Sequence, residues 1–156
     1  EQAAPLAKDR DVRVLPTKTI PQGISAMLMF DETASADENQ MNMLSAAENV
    51  ETAQVTFAAR DSEVDGKPIK QGEIMGLCNG KIKYIGDDIT DIAVKSAHKL
   101  FKKGEHSLIT IIYGEGASED DAEAVEKALY EKYGNDVEIS IVNGGQPIYY
   151  FIISVE

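Results

Sequence analysis

Residues 107–142 constrain the fold more than any other stretch. "SLITIIY", residues 107–113, is apolar almost throughout, as strands buried on both faces are. Ser118-Glu-Asp-Asp121 reads as a helix cap, a hydroxyl followed by carboxylates that suit the first turn. The helix it opens runs to Tyr133 and stops at Gly134. "VEISIV", residues 137–142, then alternates, the pattern of a strand with one covered face. Strand, helix and strand in that order form a β-α-β unit with parallel strands and, by default, a right-handed crossover. After the Asn143-Gly144-Gly145 turn, "PIYYFIISV" is the last strand.

The rest of the chain adds to this unit. "VRVLP", residues 12–16, is expected as a short buried strand ended by proline. A helix is expected from about Pro21, with Ile24, Met27 and Leu28 on one apolar face. Ser35-Ala-Asp-Glu38 is a capping box for a second helix, with Met41, Leu44 and Ala47 or Glu48 around its turns. Residues 51–59 read as a strand carrying Val55 and Phe57. Asp65-Gly66 and Asn79-Gly80 are pairs favoured in two-residue type I′ hairpins. With the second as a turn, Leu77 faces Ile82 and Met75 faces Tyr84, while Ile74 and Ile85 fall on the other side. Asp87-Asp88 cap a helix with Ile89, Ile92, Ala93, Ala97, Leu100 and Phe101 on one face, ending in Lys102-Lys103-Gly104. The expected fold is α/β: a mixed sheet with flanking helices, a β-hairpin insertion and a C-terminal βαβ-β unit. Residues 1–10 read as the end of a helix from a preceding domain or linker, and 11–156 as a single α/β domain.

Charge narrows the function classes. Fifteen basic residues against 27 acidic ones leave a net charge of −12, which argues against nucleic acid and anionic membranes, since both need a positive footprint. The same charge serves solubility or suits a partner with a basic patch. Cys78 is the sole cysteine, so no intrachain disulfide forms, and a reducing compartment, the cytoplasm, is expected. No apolar run approaches the ~18–20 residues of a membrane span.

Candidate chemistry is sparse. Gly114-Glu115-Gly116 stands where a phosphate loop would, but position 119 is Glu rather than Gly or Ala, and Glu119, Asp120 and Asp121 would repel an anion. Thr17-Lys18-Thr19 before a helix offers hydroxyls and an amine to an anion, or ordinary helix capping. Arg60-Asp61 reads as a local ion pair, and Asp87, Asp88 and Asp91 as caps rather than magnesium ligands. His98 and His106 have no ligands at metal spacing and belong to no Ser/His/Asp set. Met27, Met29, Met41 and Met43 crowd the first two helices, where core filling is expected over a docking role. No catalytic or metal residue is assigned.

"VLPTKTIPQGISAML", "ARDSEVDGKPIKQGE", "GKIKYIGDDI" and the terminal "GGQPIYYFIISVE" resemble the C-terminal domain of the fatty acid kinase A subunit, over residues 11–156. This family is dihydroxyacetone-kinase-like and common in Firmicutes. The resemblance implies a layout similar to the DegV fold. It also implies a protein whose N-terminal domain binds ATP and magnesium, whose middle domain follows, and whose C-terminal domain engages a DegV-like B subunit holding a fatty acid. Phosphorylation of that fatty acid for phospholipid synthesis would be the whole protein's activity. The present chain would have no enzymatic activity or cofactor of its own, with self-association of the full-length protein a further expectation. "EQAAPLAK" matches the helix that ends the family's middle domain. The loops most alike place partner contact at Thr17, Lys18, Thr19, Gln22, Arg60, Asp61, Gly144, Gly145, Gln146 and Tyr149. The alternative is a DegV-like small-molecule or lipid-binding domain with no catalytic role.

Overall fold

The computed structural model describes residue 7, residues 10–64 and residues 66–156. The helix tail expected over residues 1–10 falls on residues outside these, 7 and 10 apart, and so does Asp65 of the first hairpin turn. The chain forms two compact units, Glu1–Val50 and Glu51–Glu156.

The first unit is a pair of packed helices, α1 (Ile20–Leu28) and α2 (Ala36–Glu48). Thr19 caps α1 by accepting the Gln22 backbone N–H, and Pro21 sits in the first turn. Ser35 and Glu38 form the expected capping box of α2, and the bonds from Ser35 hold the Glu38 carboxyl below its usual range. Asn39 is buried and pins the connection, donating to the Asp31 carbonyl (2.7 Å) and accepting the Asp31 N–H (2.8 Å). The strand expected at 12–16 does not form: the segment makes no strand pairing among the described residues, and Val12 and Val14 are exposed. It is held instead by Arg13, whose guanidinium grips Asp11 (2.8 Å) and reaches Asp37 and Gln40 (2.9 Å) on α2.

The apolar stripe of α1 is not the side the helix buries. The helix buries its small side, Pro21, Ser25 and Ala26, and turns Ile24, Met27 and Leu28 outward. Met29 and Met41 are exposed as well and Met43 is half-buried, so three of the four methionines expected to fill the core do not. Small side chains let two helices approach closely, and periodicity alone does not say which stripe faces in.

The second unit is a six-stranded sheet in the order β5-β4-β1-β8-β6-β7. Its strands are β1 (Glu51–Phe57), β4 (Ile74–Cys78), β5 (Lys81–Gly86), β6 (Leu108–Tyr113), β7 (Glu138–Asn143) and β8 (Tyr149–Val155). β6 and β7 are parallel and the other pairs antiparallel. A separate ribbon pairs β2 (Ser62–Val64) with β3 (Lys67–Ile69). Helices α3 (Ile89–Leu100) and α4 (Glu119–Tyr133) pack on one face, against Ala53, Val55, Ile109, Ile111, Phe151 and Ile153. Because both helices take that face, β6 is not buried on both sides as its composition suggested: Leu108, Thr110 and Ile112 are half-buried.

The Asn79-Gly80 turn forms with both residues at positive φ, 49° and 76°, and sets Leu77 opposite Ile82. A β-bulge between Gly76 and Leu77 then shifts the register, so Met75 faces Ile85 rather than Tyr84. Gly76 is where α3 touches the sheet. A Cβ there would collide with the Ser96 hydroxyl and lie 2.7 Å from Ile92 Cγ2. Ser96 is fully buried and its hydroxyl has no hydrogen-bond partner among the described residues, so this contact is close and under-satisfied.

Gly76→Ala is therefore expected to cost about 1–3 kcal/mol through overpacking. Ser96→Ala should be neutral or stabilising by about 1 kcal/mol, because it deletes an unpaired buried polar group. In the double variant the two effects should couple, with part of the Gly76→Ala loss recovered. Urea denaturation of the four proteins measures this; a destabilised Ser96→Ala would mean that the hydroxyl has a partner.

Candidate functional site

The expected contact residues lie in three places. In the first unit, Thr17, Lys18 and Thr19 form the loop that leads into α1, and Gln22 lies in its first turn. The Gln22 side-chain oxygen accepts the Lys18 N–H (2.9 Å), and Thr19 accepts the Gln22 N–H (3.3 Å). The Thr19 hydroxyl and the Gln22 amide are thus used for capping, which leaves the Lys18 ammonium exposed and without an ion pair among the described residues. In the second unit, Arg60 is exposed and makes no ion pair with Asp61. Asp61 accepts from the Gln71 N–H (2.8 Å) and pairs with Lys70 (3.0 Å), and those two interactions, in that order, lower its pKa.

The third place is the carboxyl end of the parallel strands β6 and β7, where two glycine-bearing loops interlock. Gln146 donates to the Ile112 carbonyl (3.1 Å) and toward the Tyr149 carbonyl (3.4 Å), so its amide locks the loop. Backbone bonds join Glu115 N–H to the Gln146 carbonyl (3.1 Å), Gly114 N–H to Tyr150 (3.0 Å) and Gly144 N–H to Tyr113 (2.9 Å). Gly114 and Gly144 must be glycine: a Cβ on the first would strike the Gln146 and Tyr149 carbonyl oxygens, and on the second the Gln146 side chain. Gly116 lies under the Tyr150 ring, whose Cε1 would be 2.6 Å from an added Cβ. The Gly-Glu-Gly stretch is thus a seat for the neighbouring loop. The start of α4 is filled by its own capping box, in which Asp121 accepts from the Ser118 hydroxyl (2.6 Å) and N–H (2.8 Å), lowering the Asp121 pKa.

Ile148 departs from what sequence predicts. It is 65% exposed and held at φ 73°, a region that β-branched residues rarely occupy. The Thr56 hydroxyl fixes it by donating to the Ile148 carbonyl (2.8 Å), beside a bulge that makes Tyr150 an extra residue on β8. Between these parts lies an open cleft of about 280 Å³, lined by Phe57, Glu115, Gly116, Ile148, Tyr149 and Tyr150. Of these, sequence points to the two tyrosines, Tyr149 as a contact residue and Tyr150 beside it as a residue type common at interfaces; for Glu115 and Gly116 the signal lies in the glycine-rich loops, which follow two adjacent parallel strands and so meet at one end. A larger hollow of about 490 Å³ beside β5 holds none of the expected residues.

Other polar groups are occupied structurally. Asp88 caps α3 at the Asp91 N–H (2.8 Å), and Asp91 pairs with Lys95 (2.6 Å). The His106 ring nitrogen Nδ1 accepts the Lys102 N–H (3.0 Å). His98 Nε2 meets Lys132 Nζ at 2.7 Å while Nδ1 contacts the Tyr133 hydroxyl; burial first, then Lys132, lowers the His98 pKa. Cys78 is buried, which raises its thiol pKa. Among the described residues no three His, Cys, Asp or Glu side chains converge, and no helix is long and apolar enough to cross a membrane.

The architecture is that of DegV proteins. A DegV family protein from Ruminococcus gnavus, described with vaccenic acid, superposes with a TM-score of 0.55 at 17% identity, covering 87% of this chain and 55% of that one. A fatty acid binding DegV family protein from Streptococcus agalactiae gives 0.53 at 16% identity, covering 86% and 54%. Residues 1–156 match the family of C-terminal domains of fatty acid kinase A-like subunits, and the chain belongs to it. Protein YloV of Bacillus subtilis is 43% identical over 95% of this chain and 26% of its own length. An uncharacterized protein of Staphylococcus haemolyticus is 40% identical over 100% of this chain and 28% of its length. The chain thus spans about a quarter of the length of the curated relatives it matches.

If Ile148 is strained, Ile148→Asn should raise stability by up to about 1 kcal/mol, since asparagine tolerates positive φ. Gln146→Ala should lower it by about 1–3 kcal/mol by orphaning two carbonyls. Thermal melts measure both, and a destabilised Ile148→Asn would remove the case for strain.

Proposed function

We propose that this chain is the partner-docking domain of a fatty acid kinase A subunit. It engages a DegV-like, fatty-acid-binding B subunit in the cytoplasm, so that an ATP- and magnesium-binding domain elsewhere in the protein phosphorylates the bound fatty acid. By itself the chain transfers no phosphate. Membership of the kinase family supports the setting, and the likeness to fatty acid binding DegV proteins supports a partner of related build.

One observation carries the docking reading: the outward apolar face of the first unit. Met27 and Leu28 are 72% and 79% exposed, and Met41 is 65% exposed. Ile20, Ile24 and Phe30 are exposed beside them in sequence. Full burial of one such side chain is worth roughly 1.5–3 kcal/mol, so several left in water mark a surface made to be covered. Methionine suits that use, being unbranched and adaptable. The net charge of −12 disfavours an anionic lipid surface as the covering partner. Lys18, Thr17 and Gln22 at the start of α1 would belong to the same contact, and Arg60 to a second.

The test is calorimetric titration of this chain with a fatty-acid-loaded DegV-like subunit. Leu28→Asp and Met27→Glu are each expected to weaken binding about tenfold or more, with melting temperatures within about two degrees of the parent. Parent-like affinity in both variants would contradict the assignment.

A further inference from the structure

The cleft at the carboxyl end of β6 and β7 has a chemistry that narrows what it can receive. Three aromatic side chains line it, with Phe57 and Tyr150 edge to face at 6.2 Å and 61°. Its one charged lining group is Glu115, exposed and without an ion pair among the described residues. The next charged residues along the chain, Glu119, Asp120 and Asp121, are all acidic. Ring faces carry negative potential and attract cations, and a carboxylate adds to this, whereas an anion or a bare acyl tail gains nothing from Glu115. The walls are held in advance: Gly116 sits under Tyr150, Gln146 locks the loop, and the Thr56 bond keeps Ile148 at positive φ. Rigid walls lose little freedom on binding.

Size separates a side chain from a small molecule. At about 280 Å³ and open to solvent, the cleft falls below the roughly 300–1,000 Å³ of sites that enclose small ligands. It suits one long side chain reaching in from a larger body. A guanidinium matches it best, because its plane stacks on tyrosine while its N–H fork reaches a carboxylate.

We propose that this cleft is a socket for an arginine side chain presented by the docking partner, stacked against the tyrosines and paired with Glu115. This rests on the docking reading above. The acidic surface steers a basic partner in, and the socket makes one cation specific.

The experiment titrates the chain with the DegV-like fatty-acid-binding subunit in 50 and 300 mM KCl, as parent, Glu115→Gln, Glu115→Arg and Leu28→Asp. Glu115 is exposed, so its variants should keep the parent melt. Glu115→Gln is expected to weaken binding about tenfold at low salt, and less at high salt, as a charge pair requires. Glu115→Arg should weaken it further by placing like charges together. Parent affinity in both Glu115 variants, with Leu28→Asp still impaired, would overturn the socket and leave docking standing. An equal loss at both salts would overturn the ion pair on which the socket depends. Sub-millimolar binding of free choline that leaves the partner's affinity unchanged would give the cleft to a small amine and overturn the proposal. A parent chain that does not bind the DegV-like protein would overturn both readings.

Discussion

β8 runs between β1 and β6, hydrogen-bonded antiparallel to each, so the last strand of the chain closes the middle of the sheet. Phe151, Ile153 and Val155 supply the core under both helices, and all three are fully buried. The strand reaches this slot through the loop after β7, and that loop fits only because Gly114 and Gly144 lack side chains where backbone and Gln146 pass. The rigidity of the cleft follows from the same requirement. A loop that must admit the central strand cannot also be slack, and the two tyrosines of the cleft are the first residues of that strand, facing Phe57 at the end of β1.

Much of this was legible because local chemistry and tertiary structure agree. Asn79-Gly80 demanded a type I′ turn and made one. Ser35 and Ser118 formed capping boxes with the carboxylates three residues on. The β-α-β unit of 107–142 followed from apolar runs around a capped helix, and its strands are parallel neighbours. What stayed hidden depended on contacts distant in sequence. The bulge next to Gly76 lies where α3 packs on the sheet, and no hairpin rule contains that helix. Residues 12–16 had the composition of a strand but make no strand pairing among the described residues.

α1 illustrates the limit most sharply. Its sequence has two stripes, one large and apolar, one of Pro21, Ser25 and Ala26, and the second is buried. Periodicity identified the large stripe but could not say whether the core or a partner would cover it. The candidate contact set shows the same limit. Gln146 lies in the loop before β8 as internal support and Tyr149 lines the cleft, while Glu115 and Ile148 emerge only from the folded loops.

The proposed work of this chain is partner recognition rather than chemistry. Hydrogen–deuterium exchange, with and without the fatty-acid-loaded DegV-like subunit, tests it most directly. Slowed exchange across residues 20–30 and in the loops at 114–117 and 144–150 is the predicted result. Complex formation with these segments exchanging as in the free chain, and protection confined to other surfaces such as the outer side of α4, would contradict it.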